Sequence, residues 1–305
     1  MELHEAMNWI ADSIQSPAFN NLSTGAFGAF FGAWGAQAII SRGQRRQSVV
    51  AELNNISAAL GLCFSICNTY ASLKAQHVRP LSKSVEDARE QRRLIDEKNK
   101  NLRGPLRRPL ELTFDFRTIP RPRAPIELLE KLVFEKIAMR GRGPIAFIAL
   151  MNAVDSLNSA IAFREELILD IKARNLPAKE LVSLYLGSPV SDRGTDSRYP
   201  DSVEAIDSHT NDCIFFSQIV AADLAEYGKA FRKKHSGPLT RALPKLPAAD
   251  WSSLREQQLL PDESNYASWL SSFEGQPITR KTFRSLMGLL GRFKARLKTF
   301  QSGHL

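Results

Sequence analysis

Cysteine is scarce in this chain, with only Cys63, Cys67 and Cys213 among 305 residues. Three thiols build no disulfide framework and suit a reducing compartment. The five histidines (His4, His77, His209, His235 and His304) stand singly. Metal-ligand spacing is therefore missing, and neither a metal nor a cofactor is expected. Also missing are GxxxxGK[ST], GxGxxG after a strand, HExxH and CxxC, so no catalytic residue can be assigned from a motif. Two further gaps concern charge. No lysine or arginine precedes Arg42, and no acidic residue follows Glu274. What is present excludes wholesale disorder, since 43% of residues are hydrophobic and 24% charged. The net charge of +9 favours an anionic partner: phospholipid, nucleic acid or an acidic protein.

The longest gap in charge runs from Asp12 to Arg42, and inside it Leu22–Ile40 is mostly apolar. A helix over those 19 residues reaches roughly 28 Å, the thickness of a bilayer's hydrocarbon. Gly25, Gly28, Gly32 and Gly35 would each cost about 1 kcal/mol relative to alanine in a water-exposed helix. A membrane helix tolerates them and uses small residues for close approach. Gly28 and Gly32 form a GxxxG pair that Ala36 extends, which marks them as oligomerisation residues. Arg42, Arg45 and Arg46 follow the span at once. Retention of positive charge on the cytoplasmic side then predicts a single pass with the N-terminus outside. Residues 2–15, with Trp9 among Met7, Ile10 and Ile14, read as a short helix at the outer interface.

From Val49 the apolar residues fall at Val49, Leu53, Ile56, Leu60, Cys63, Cys67 and Tyr70. Gaps of 4, 3, 4, 3, 4 and 3 are the heptad spacing of a helix packed on another helix. Leu53, Ile56 and Leu60 are accordingly expected in self-association, and the cysteine pair reads as small hydrophobes on the seam. Leu53–Leu73 is also free of charge, so a second span forming a hairpin with the first stays open, although its Asn, Ser and Thr content is high for lipid. Pro80 is expected to end the seam. Ser82–Asn101 then reads as a charged helix, and ten basic against five acidic residues lie between Arg79 and Arg108. That run is a solvated linker or, alternatively, a nucleic-acid contact.

Farther along, Leu110–Ile119 (LELTFDFRTI) alternates apolar and polar residues and predicts a strand. Helices are expected over Ile126–Arg140, Ile145–Arg174, Lys179–Leu186 and Val203–Tyr227. Phe147, Met151, Val154, Leu157, Ile161 and Ile168 mark the inner face of the second. Ile206, Thr210, Cys213, Ser217, Val220, Leu224 and Tyr227 mark that of the last. The loop between them clusters Asp192, Arg193, Asp196, Arg198 and Asp201, with Asp207, His209 and Cys213 beyond. An unrecognised hydrolase would use these groups, whereas a solvated loop with capping Asp and Ser is the commoner arrangement. At the far end, Phe283, Leu286, Met287, Leu290, Phe293, Leu297 and Phe300 form one helical face. Arg280, Lys281, Arg284, Arg292, Lys294, Arg296 and Lys298 surround it, a basic amphipathic pattern suited to an anionic surface.

The layout "GAFGAFFGAWGA", then "RGQRR", then a long apolar-seamed helix resembles a loosely defined group of bacterial membrane-anchored helical proteins without assigned function. The likeness covers the first 75 or so residues and implies an inner-membrane anchor, with no catalytic residues attached. Together these readings predict a mainly α protein whose N-terminal transmembrane helix continues into a cytoplasmic helical bundle with one minor β element. Its parts are an outer interfacial helix (1–18), a transmembrane helix (19–41), and a long helix with a charged linker (42–109). A helical bundle with a short strand (110–236), a Pro-rich connector with short helices (237–277) and the basic C-terminal helix (278–305) complete it. The function expected is that of a membrane-anchored oligomeric scaffold, sensor or effector, with membrane lipid, a second copy and a protein partner as binding partners. A hairpin pore former and a nucleic-acid-binding protein using 79–108 and 278–300 remain alternatives.

Overall fold

The computed structural model describes residues 17–100, 109–189, 194–237 and 243–273, with side chains from Trp34 onward except Ala38. The protein is mainly helical. The long helices are α1 (Pro17–Leu73), α2 (Arg79–Asn99), α4 (Arg142–Arg174) and α6 (Arg198–His235). Shorter ones are α3 (Ile126–Lys131), α5 (Ala178–Leu186), α7 (Ser252–Glu256) and α8 (Ala267–Ser271). The chain divides into two compact units, one of Met1–Asn54 with Arg232–Pro244 and one of Asn55–Phe231 with Lys245–Leu305.

In the larger unit the heptad seam of α1 lies along the apolar stripe of α6, and the two helices run antiparallel. As α1 advances through Ile56, Cys67 and Tyr70, the facing residues of α6 recede through Gly228, Ser217 and Cys213. Small residues on α6 allow the approach. A Cβ on Gly228 would stand 3.0 Å from Ile56 Cγ2 and 2.5 Å from Leu246 Cδ1. Ile206, Thr210, Cys213, Ser217, Val220 and Leu224 are all buried, as the spacing requires. Thr210 and Ser217 satisfy their hydroxyls on their own helix, donating to the carbonyls of Ile206 and Ile214. On α4 the buried face is Phe147, Leu150, Ala153, Leu157, Ile161 and Ile168. Met151 and Val154, expected inside, sit half-buried because Leu150 and Ala153 take the inward positions.

Pro80 does not end the seam. The backbone widens into a π-helical turn over Lys74–Val78, closed by the Arg79 N–H on the Lys74 carbonyl. Helix α2 restarts at Arg79 with Pro80 near its N-terminus, where a missing N–H costs nothing. Leu81, Val85 and Ala88 then continue the buried line. Because α1 is unbroken from Pro17 to Leu73, no turn separates Leu22–Ile40 from Leu53–Leu73, and the hairpin expected as an alternative is not formed.

The strand expected over Leu110–Ile119 is a second correction. The segment forms no helix and joins no ladder, and the described residues contain no strand, only an isolated bridge between Pro189 and Thr195. The alternation is real: Leu110, Leu112, Phe114 and Phe116 are half-buried while Glu111 and Thr113 are exposed. Side chains of helices, and not a neighbouring strand, supply the partners.

Candidate functional site

On α1 the first described side chains expose apolar surface. Trp34, Ile39 and Ile40 are 68%, 71% and 59% accessible. Ser41 to Ser48 follow, all exposed, with Arg42, Arg45 and Arg46 among them. Only at Val49 does burial begin. Large apolar groups exposed together on one helix are unusual in water and mark a contact with lipid or protein. Gly28 and Gly32 lie on the backbone of α1, and their surroundings lie outside the described residues.

Two helices are long and apolar enough to cross a membrane, the one running through Trp34–Asn99 and Arg142–Arg174. The most apolar stretch of each is buried to the same extent. Arg142–Arg174 buries thirteen residues, including the charged Arg164, and exposes Phe163 and Leu169. Leu53, Ile56 and Leu60, expected to drive self-association, are 0%, 0% and 3% accessible within a single chain. The basic set Arg280, Lys281, Arg284, Arg292, Lys294, Arg296 and Lys298 lies outside the described residues.

The polar loop and helix start at 194–213 distribute their charges locally. Arg198 clasps the Asp196 carboxylate through Nε and Nη2 at 3.0 and 2.7 Å, which holds Asp196 below the usual carboxylate range. Asp201 accepts from the Ser197 hydroxyl at 2.6 Å, and Asp207 from the Asn211 amide at 3.1 Å. His209 stands 3.5 Å from Asp212. Cys213 is fully buried, and desolvation pushes its thiol up, as it does Cys63; such thiols are inert. Asp192 and Arg193 lie outside the described residues. Among the described residues no group of His, Cys, Asp and Glu could hold a metal ion. On the charged helix α2, Arg92 pairs with Asp96 and Arg93 with Glu90.

One polar constellation escapes the motif reading. Arg164 of α4 is 1% accessible, and its guanidinium reaches the extended segment across 47 residues of sequence. Nη1 donates to the Arg117 carbonyl at 2.8 Å and Nη2 to the Asp115 carbonyl at 2.9 Å. The Tyr199 hydroxyl donates to that same Asp115 carbonyl at 2.6 Å and lies 3.1 Å from Nη2. Tyr185 and Tyr199 stack at 4.8 Å, and the edges of Phe114 and Phe116 close the box around Tyr185. Burial pushes the Tyr199 phenol up to about 12, against the opposing Arg164 charge. The node holds a segment in place through backbone carbonyls and packed rings, while Arg164 Nε is buried without a hydrogen-bond partner among the described residues. Its sequence signal is a charged residue set on an apolar helical line, at Ile161, Arg164 and Ile168.

Compared with family models, curated proteins and solved structures, the chain finds no match.

Proposed function

We propose that the protein is a single-pass membrane-anchored helical protein that acts by assembly and interaction, with the span at Leu22–Ile40 and the bulk on the cytoplasmic side of a bacterial membrane. The observation carrying this reading is the exposure of Trp34, Ile39 and Ile40 on α1, followed directly by exposed Arg42, Arg45 and Arg46. Water would penalise the first set by about 1.5 kcal/mol or more per side chain relative to burial, whereas lipid would not. The second set has the sign and position that fix orientation. Burial of Leu53, Ile56 and Leu60 within one chain leaves the Gly28/Gly32 face as the route for self-association through the span. The basic residues from Arg280 to Lys298 would add an electrostatic contact with anionic lipid, which gains from the tether's high effective concentration.

Carbonate extraction of membranes from expressing cells tests the anchor, and cysteines introduced at positions 5 and 45 test the topology. The protein should stay in the carbonate pellet, with position 5 labelled from outside and position 45 only after permeabilisation. Release into the supernatant, or labelling of both positions from one side, would overturn the reading.

A further inference from the structure

Helix α1 changes character along a single line. Arg42, Arg46, Val49, Leu53 and Ile56 follow steps of 4, 3, 4 and 3, so the five share one face. Val49, Leu53 and Ile56 are buried on that face, whereas Arg42 and Arg46 are exposed, as is Arg45 beside them. The seam thus turns from apolar to cationic, and it does so where its partner helix runs out. Helix α6 ends at His235. Continued in step from the approach of Gly228 to Ile56, that last residue falls level with Val49.

The end of α6 brings cations of its own. Arg232, Lys233 and Lys234 occupy its last turn, and they belong to the same compact unit as α1 up to Asn54. Six cations from segments far apart in the sequence therefore gather at one end of one helix pair. Against them, the described residues of this unit hold a single acidic residue, Glu52. No acidic residue lies between Asp12 and Glu52, or between Glu226 and Asp250. None of the six forms an ion pair among the described residues, while seven arginines of the larger unit do. A helix C-terminus favours cations in its last turn, which accounts for α6 alone. Arg42, Arg45 and Arg46 lie in the middle of α1, where the dipole gives them no reason to be. Like charges gathered so closely repel one another, and the counter-charge has to come from outside the chain.

The neighbouring side chains say which anion that is. Trp34, Ile39 and Ile40 expose apolar surface on the same helix just before Arg42. Arg42 to Arg46 stand about 3–9 Å past Ile40 along the axis, the depth of a headgroup layer. The tip of α6 enters about 15 Å past Ile40, which leaves it about one Debye length from the phosphates. A duplex nucleic acid would meet the cations but would leave the three apolar groups in water.

We propose that Arg42, Arg45, Arg46, Arg232, Lys233 and Lys234 form one collar that binds the headgroups of anionic phospholipids, with the tip of α6 as its second half. The collar presupposes the Leu22–Ile40 anchor proposed above. The full-length protein is reconstituted into phosphatidylcholine vesicles doped with phosphatidylglycerol, and spin-labelled lipid of each headgroup is added. Electron spin resonance reads the fraction of each label slowed at the protein surface. The parent should favour phosphatidylglycerol by about threefold, and Arg232→Gln with Lys233→Gln and Lys234→Gln should cut that preference by about half. Both proteins keep Arg280 to Lys298, so the difference isolates α6. Glutamine matches lysine in helix propensity, and Lys233 and Lys234 are exposed, so the helix survives the change. Lys233→Glu with Lys234→Glu should lower the preference further, and high salt should erase the difference between parent and variants. A glutamine variant with the parent's selectivity overturns the collar and leaves the anchor standing, since the span still slows both labels. A parent that slows neither label is not inserted, which removes the anchor and the collar together. Loss of duplex DNA binding in the glutamine variant, at unchanged lipid selectivity, would give these cations to nucleic acid and overturn the collar as well.

Discussion

Arg164 binds the backbone carbonyl of Asp115 at 2.9 Å and not its carboxylate, which is taken by Arg117 at 2.6 and 2.9 Å. The buried cation is thus neutralised by peptide dipoles and a phenol, while the nearby acid is held below its usual range by an exposed arginine. A buried ion pair would tie two side chains. This arrangement ties a side chain to a main chain, and so fixes the path of residues 115–117 whatever their side chains are.

Truncating that arginine should therefore cost more than its charge. Arg164→Leu strips a donor from each of two half-buried carbonyls and should destabilise the larger unit by about 3 kcal/mol. Arg164→Lys keeps the charge but cannot fork to both carbonyls, and should recover about half of that loss. Urea titration followed by far-UV circular dichroism measures both. Equal stability of the leucine variant and the parent would remove the node from the account of the fold.

Two glycines on the same pair of helices should respond in opposite directions. Gly228→Ala sets a methyl 3.0 Å from Ile56 and 2.5 Å from the end of Leu246, which should cost about 1–2 kcal/mol. At Gly61 a new methyl meets nothing within 4 Å on an exposed face of α1, so Gly61→Ala should stabilise by about 0.5–1 kcal/mol. Thermal melts of the two variants beside the parent check the sign of each.

Alkali should unfold the larger unit before it damages the chain. Burial holds Cys67 up to about 11 and Tyr199 up to about 12, with Tyr70 and Cys213 shifted in the same direction. In the unfolded chain thiols and phenols ionise near 8.5 and 10. Above those values the unfolded state releases protons that the folded state retains, so stability is complete below about pH 8.5 and falls as pH climbs toward 12. Lys74 opposes this weakly. Burial lowers its ammonium, so raising the pH through that lowered value relieves a cost of the folded state. Urea midpoints should hold level from pH 7 to about 8.5 and decline from there to pH 11; a series that stays flat or rises above pH 8.5 would contradict the burial of these phenols and thiols.

Period alone made the apolar faces legible, but not which face each one meets. Ile56, Cys67 and Tyr70 on one line, and Ser217 and Cys213 on another, declare a face before any partner is known. Helix ends were softer: α6 begins at Arg198 and runs to His235, beyond the expected 203–227, because flanking polar residues carry no period. The segment 110–119 carries a period of two, and that period marks Leu110, Leu112, Phe114 and Phe116, which are half-buried, without making a strand. It says nothing of what satisfies the backbone. Arg164, Tyr185 and Tyr199 do so from separations of 47 residues or more, and local spacing cannot encode such partners. The hold of Arg79 and Lys74 on carbonyls 257–259 is illegible for a related reason: a carbonyl has no letter in the sequence.

The turn at Lys74–Val78 carries a consequence for how this chain can vary. Along the buried line, the steps from Cys63 run 4 and 3 to Tyr70, then 4 to Lys74 and 4 again to Val78, before 3, 4 and 3 return through Leu81, Val85 and Ala88. The repeated 4 is a stutter, an interruption of phase that a helix absorbs by unwinding locally. The widened π turn sits on that step. A π turn holds one residue more than the α turn it replaces, so deleting one residue between Lys74 and Val78 would restore ordinary winding and leave the flanking helices in phase. Leu81, Val85 and Ala88 would then keep their places in the core. This turn is consequently where the long helix can lose a residue, and Gln76, exposed on it, is the one to remove.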